Sequence, residues 1–164
     1  MHSLHIPCYE RRISVNPHIR KACRQDICRL AEIEIFNYRL NFYPIFRSDF
    51  YYFEELQVSH FMERYEKDPA LLDSIYVYDD GVVKAMVSVK EQTISKLFVE
   101  PVLHSQGIGS QLLRHVLEHT DASQLWVLEK NLRAIAFYEG HGFRLTEEKI
   151  FEDGTTEYLI KMIR

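Results

Sequence analysis

Leu97-Phe98-Val99-Glu100-Pro101-Val102-Leu103-His104-Ser105-Gln106-Gly107-Ile108-Gly109-Ser110 passes from a strand-forming run through a turn into a helix. Gly107 and Gly109 let the backbone approach an anion closely. The free N–H groups of a first helical turn, with the positive end of the helix dipole, suit phosphate oxygens. Taken alone, two glycines this close also fit a tight strand-to-helix turn with close packing. The segment lacks Gly-x-x-x-x-Gly-Lys-Ser/Thr, which excludes a P-loop, and it lacks the third glycine and early placement of a dinucleotide fingerprint. The common anion that remains is the coenzyme A pyrophosphate.

Working outward, Thr93 to Val99 reads as the strand feeding this turn. Ser74 to Tyr78 and Val82 to Val89 form a hairpin around Asp79-Asp80-Gly81, where Gly supplies the positive φ of a tight turn. Downstream of the loop, Ile108, Leu112, Leu113, Val116 and Leu117 recur at helical period. Gln124 to Leu128 is a buried strand, Asn131 to Gly140 is helical, and two last strands flank Asp153-Gly154. Strand, glycine turn, helix, strand and helix in that order imply parallel crossovers. Upstream, His18 to Cys23 reads as a short strand. Asp26 is placed to cap a helix carrying Ile27, Leu30, Ala31, Ile33, Ile35 and Phe36, which Pro44 ends. A second helical stretch runs from about Phe53 to Glu66, with Lys67-Asp68-Pro69 as its stop. Residues 1–17 hold Pro7 and Pro17 and no sustained period, so they read as an N-terminal extension to one domain over 18–164.

The second informative block is Asn131-Leu132-Arg133-Ala134-Ile135-Ala136-Phe137-Tyr138-Glu139-Gly140-His141-Gly142-Phe143. A spacing of seven puts Asn131 and Tyr138 on one helical face, roughly 10 Å apart, with small Ala134 leaving room between them. Separately, an Asn here is also a plain helix cap and a Tyr on an apolar stripe is also core. Together with the glycine loop the block resembles the GCN5-related N-acetyltransferase (GNAT) superfamily. Val99 to Leu113 looks like its Gln/Arg-x-x-Gly-x-Gly/Ala motif and Leu125 to Phe143 like its Asn-x-x-Ala-x-x-Phe-Tyr-x-x-x-Gly-Phe segment. The likeness is sharpest over residues 95–143, with one departure: His104 stands where the family usually has Gln or Arg.

The resemblance implies an α/β, three-layer α-β-α fold with a mixed, mostly antiparallel central sheet and a splayed parallel pair at an acyl-CoA site. It implies transfer of an acetyl group from acetyl-CoA, as co-substrate and without a metal, to a primary amine on a small molecule, a protein lysine or an N-terminus. The coenzyme would be held by Leu97, Phe98, Val99, His104, Ser105, Gln106, Gly107, Ile108, Gly109, Ser110 and Asn131. Tyr138 would lie against it as well and give a proton to the departing thiolate. A phenol of ordinary pKa near 10 can do that without prior ionisation. In some protein-acetylating relatives a Glu five positions before the motif Asn serves as base; Trp126 stands there, so the role does not transfer, and Glu91, Glu34 and Glu129 are left as candidates through water. The nine aromatics between Phe36 and Phe53 are read as an aromatic wall at the acceptor site, a homodimer contact or ordinary core.

Composition sets the outer bounds. The 164 residues, 46% hydrophobic and 27% charged, suit one globular domain. A net charge of −4 disfavours nucleic acid and mildly favours a cationic substrate. No stretch reaches the length of a membrane span, Met1 to Arg12 build no apolar signal region, and the odd set Cys8, Cys23 and Cys28 fits reduced thiols, so a cytoplasmic protein is expected. Two rival classes remain. His115-Val116-Leu117-Glu118-His119 matches the His-x-x-Glu-His pattern of zinc hydrolases, although no third ligand is signalled. The other rival is a non-catalytic acyl-CoA-binding regulatory module.

Overall fold

The computed structural model describes residues 16–164; Cys8 and most of the expected N-terminal extension lie outside the described residues. Seven strands form one sheet in the order β1-β2-β3-β4-β5-β7-β6. They are β1 (Ile19–Lys21), β2 (Ile75–Asp79), β3 (Val83–Lys90), β4 (Thr93–Val99), β5 (Gln124–Leu128), β6 (Arg144–Phe151) and β7 (Tyr158–Ile163). Every neighbouring pair is antiparallel except β4 with β5. That parallel pairing covers only Thr93 with Gln124 and Ile94 with Leu125, after which the two strands part. The mixed sheet with its splayed parallel pair is as expected from the sequence.

Helices cover both faces. On one side α5 (Ile108–His119) and α6 (Leu132–Glu139) pack Leu112, Leu113, Val116, Ile135 and Tyr138 against Ala85, Val87, Leu125 and Met162. On the other, α1 (Ile27–Asn41) and α3 (Val58–Lys67) bury Leu30, Ile33 and Tyr65 against Ile75, Val77, Met86 and Phe98. Alternation along β3 sends Ala85 and Val87 into the α5/α6 layer and Met86 into the α1/α3 layer, which is why three successive residues are buried.

Three local readings change. Asp26 precedes α1 but does not cap it: its carboxylate accepts from the Cys23 N–H at 2.8 Å and pairs with Arg20, bracing the turn before the helix. Phe36 of the apolar set is exposed. The single helix expected over Phe53 to Glu66 is broken. Short α2 (Tyr43–Phe46) carries Pro44 in its first turn, a π-type turn spans Phe50–Glu55, and α3 begins only after Leu56 leaves helical geometry (φ −73°, ψ 83°). Asp68-Pro69 then starts a helix as well as stopping one. Asp68 accepts from the Leu71 N–H at 3.1 Å and Pro69 opens α4 (Pro69–Asp73).

Candidate active site

The departure of β4 from β5 opens a cavity of about 1070 Å³ that is lined from both faces of the sheet. The strand edges Leu97 to Val99 and Trp126 to Leu128 frame it; the glycine loop, Asn131, Ala134, Phe137 and Tyr138 line it on the α5/α6 side; Asn37, Tyr38, Asn41 and Phe42 line it on the α1 side. Of the residues expected to bind coenzyme, all line this cavity except Gln106, whose side chain is exposed and off its wall.

The loop is built as its sequence implies. Gly107 caps α5 in left-handed geometry (φ 81°), and Ser105 is also left-handed (φ 64°). Among the described residues, the first backbone N–H after the turn to find an acceptor is that of Gln111, bound to the Gly107 carbonyl at 3.1 Å. Among the described residues, the N–H groups from Ser105 to Ser110 have none. A run of unpaired donors at a helix N-terminus, on a cavity wall, is a seat for an anion. Gly109 packs close to the strand without being forced to be glycine: a Cβ there would stand 3.4 Å from Val99 Cγ2 and 3.5 Å from Leu97 Cδ2, ordinary contact distances.

The strand contributes selectively. The Glu100 N–H donates to the Lys84 carbonyl at 2.8 Å, and with Ala85 opposite Val99 this fixes the hydrogen-bond alternation. The backbone of Phe98 therefore faces β3 and is spent there, while the N–H groups of Leu97 and Val99 face the opened gap. The Val99 carbonyl is already occupied by Asn37 Nδ2 and by His104 Nε2, each at 2.9 Å. His104 is thus turned back onto β4 and donates through Nε2.

Asn131 sits at the N-cap of α6, where its Oδ1 accepts from the Ala134 N–H at 3.2 Å; its NH₂ group has no acceptor among the described residues. Tyr138 lies one helix length on, packed edge-on to Phe137 and Phe143. Its hydroxyl makes no hydrogen bond among the described residues, and burial pushes its phenol above the ordinary value.

Of the carboxylates named as candidate bases, Glu34 is fully buried and accepts from Tyr65 Oη at 2.5 Å, from Arg64 and from Lys96. Glu129 pairs with Lys149 at 2.6 Å, and Glu91 is exposed in the β3–β4 turn. The acids on the cavity wall are two that the sequence did not flag. Glu152 and Asp153, from the connection between β6 and β7, line it together with Phe46, Tyr51 and Tyr52. The aromatic cluster divides accordingly: Tyr38, Phe42, Phe46, Tyr51 and Tyr52 line the cavity, whereas Phe36, Phe50 and Phe53 are exposed and off its wall. His115 and His119 stack on each other at 4.2 Å on α5, and His119 Nδ1 donates to the His115 carbonyl at 2.8 Å, so that nitrogen is engaged within the helix.

Comparison with known proteins agrees with this geometry. Residues 72–145 match the family described as acetyltransferase (GNAT) domain, and the fold is that of solved members. Over residues 72–145 the chain is thus similar to the GNAT acetyltransferase domain. The N-acetyltransferase of Staphylococcus aureus Mu50 superposes with a TM-score of 0.70 at 13% identity, covering 89% of this chain and 99% of that one. The PaiA N-acetyltransferase of Thermoplasma acidophilum, solved with coenzyme A, gives 0.63 at 16% identity over 89% and 98%. In sequence, the peptidyl-lysine N-acetyltransferase YiaC of Escherichia coli (strain K12) is 33% identical over 70 residues, 42% of this chain and 48% of the relative. The chain thus matches less than half the length of the curated relatives.

Proposed function

We propose that this chain is an acetyl-CoA-dependent GNAT N-acetyltransferase acting on a primary amine. The observation that carries the reading is the run of unpaired N–H groups from Ser105 to Ser110 on the cavity wall. They are a fit for the pyrophosphate, and the N–H groups of Leu97 and Val99 are a fit for the amides and acyl carbonyl of the coenzyme arm, with the Asn131 NH₂ as a further donor. A solved relative crystallised with coenzyme A and another with acetyl-CoA support the same ligand. A peptidyl-lysine acetylating relative supports an amine on a lysine side chain.

In this reading the neutral amine enters from the α1 side and attacks the thioester carbonyl. The C–N bond forms as the C–S bond breaks, and an oriented strand N–H stabilises the oxyanion. Tyr138 protonates the leaving sulfur. Its raised pKa keeps the proton on oxygen until sulfur charge develops, at some loss of driving force. Among the described residues no helix is long and apolar enough to cross a membrane. A reducing, cytoplasmic setting is part of the proposal, supported by Cys23 and Cys28 being free thiols among the described residues.

The test is calorimetric titration with acetyl-CoA, followed by thiol release against alkylamines and lysine peptides. The expected result is binding with release, and Tyr138→Phe lowering kcat by about 10²-fold with coenzyme affinity kept. Binding without release from any acceptor would instead favour a regulatory module, and no binding would overturn the reading.

A further inference from the structure

Three charged groups on the cavity wall, Arg133, Glu152 and Asp153, have no ion pair among the described residues, and Glu152 is the one whose charge reaches the aromatic wall at all three of Tyr38, Tyr51 and Tyr52. Glu152 lines the cavity, makes no side-chain hydrogen bond and no ion pair among the described residues, and is held by a braced turn. Its N–H donates to the Glu157 carbonyl at 2.8 Å, and the Thr155 N–H and Oγ1 both donate to its carbonyl, at 3.1 and 2.9 Å. The backbone of Glu152 is therefore held in place while its carboxylate is uncommitted. Across from it stand Tyr38, Tyr51 and Tyr52. Burial is the main reason each of these phenols is raised, and the Glu152 charge adds to all three, which places it within electrostatic reach of the aromatic wall. Burial, and then the neighbouring Asp153, raise the Glu152 carboxyl itself.

An unpaired carboxylate opposite an aromatic wall is what a primary alkylammonium on an apolar stem would need. The aromatic faces take the stem and attract the cation, and the acid takes its charge. We propose that Glu152 receives the acceptor's ammonium group and removes its proton, directly or through one water, making it the general base of the transfer. This rests on the acetyltransferase reading above. The proton balance closes: the ammonium gives one proton to Glu152 and becomes the nucleophile, and the attacking nitrogen loses a second as the C–N bond forms. The thiolate takes the Tyr138 proton, the phenolate recovers one from the nitrogen, and Glu152 returns its own to solvent. Lys96, which also lines the cavity, is already paired with Glu34 and does not compete for the carboxylate.

The experiment compares the full chain with Glu152→Gln and Glu152→Asp, using butylamine and a lysine peptide as acceptors and an acyl hydrazide, whose terminal nitrogen is neutral at pH 7, as a third. Glu152 makes no side-chain hydrogen bond, so both variants should keep the melting temperature and acetyl-CoA affinity. Glu152→Gln should lower kcat/KM for the alkylammonium acceptors by about 10²-fold, Glu152→Asp should lose less, and the deficit should shrink to a few-fold with the hydrazide. If the wild type releases thiol and Glu152→Gln matches it on butylamine and peptide, or loses as much on the hydrazide, the base assignment is overturned while the acetyltransferase reading stands. If the wild type releases thiol with no acceptor, both fall together.

Discussion

Glu34 offers the sharpest test of how the acceptor side of this cavity is held. It is fully buried, and its two oxygens take the Tyr65 hydroxyl at 2.5 Å, Arg64 Nη2 at 3.0 and 3.1 Å, and the Lys96 ammonium. Lys96 is only 21% exposed and its pKa is lowered, first by burial, with Glu34 opposing that loss. In Glu34→Leu a side chain of similar volume fills the site, so cavity loss is small and the effect is electrostatic. Arg64, 42% exposed, can turn to water at little penalty. The Tyr65 hydroxyl, in a residue only 2% exposed, and the Lys96 ammonium are left without their acceptor. Stranding one buried partner of an ion pair costs about 3–5 kcal/mol, which for a domain of this size lowers Tm by about 6–20 °C. Urea unfolding with the slope unchanged is the assay. The double variant Glu34→Leu/Lys96→Met removes both charges and should recover most of the loss, because a buried pair contributes little over an apolar isostere. A loss under about 1 kcal/mol in the single variant, or no recovery in the double, would refute the reasoning.

Three further outcomes are expected. Asn131→Asp keeps an acceptor for the Ala134 N–H but loses the NH₂ donor, so urea stability should hold while calorimetric affinity for acetyl-CoA falls; Asn131→Ala should also lose about 1 kcal/mol of stability. Gly107→Ala should lose about 1–2 kcal/mol because of its positive φ, although nothing lies within 4 Å of the added Cβ, whereas Gly109→Ala meets only ordinary contacts and should fold at least as well; urea midpoints separate them. The Arg20 hydrogen bonds hold the Asp26 carboxyl below its ordinary value, so the stability they contribute is present above about pH 4 and is lost as pH falls through the folded value; Arg20→Met should flatten that acid limb of the urea midpoint.

What the sequence made legible was local. Thr93 to Val99 and Gln124 to Leu128 were bounded correctly because each is a short β-branched or apolar run with polar ends, and the Asn131 to Tyr138 face follows from helical spacing alone. The aromatic stretch was read as smoother than it is, because a left-handed Arg47 (φ 55°) and the turn at Leu56 leave no mark comparable to a glycine. Glu34 is one of three acids the sequence leaves as candidate bases, yet it sits between Ile33 and Ile35 within an apolar run, and a charge there signals partners. Those partners, Arg64 and Lys96, lie 30 and 62 residues away, beyond any periodicity. Glu152 was invisible for a similar reason: it neighbours a hairpin glycine, and only tertiary folding brings that connection opposite Tyr51 and Tyr52.

The same tertiary assembly explains why the cavity exists before a ligand arrives. A parallel pair that begins at Thr93 and Gln124 would gain hydrogen bonds by zipping onward, so something must make the open state the better one. At Val99 the answer is visible. Its carbonyl faces the gap but takes two donors from outside the sheet, Asn37 of α1 and His104 of the glycine loop, which fill both of its lone pairs. β5 can then offer that carbonyl nothing it lacks, and closing the strands there would break both bonds. The Val99 acceptor at the end of β4 is satisfied internally while the donors, the N–H groups of Leu97 and Val99 and those of the loop, are left facing the cavity. A wall so supplied with free donors selects ligands rich in acceptors, and a pyrophosphate joined to a chain of amide carbonyls ending in a thioester is such a ligand.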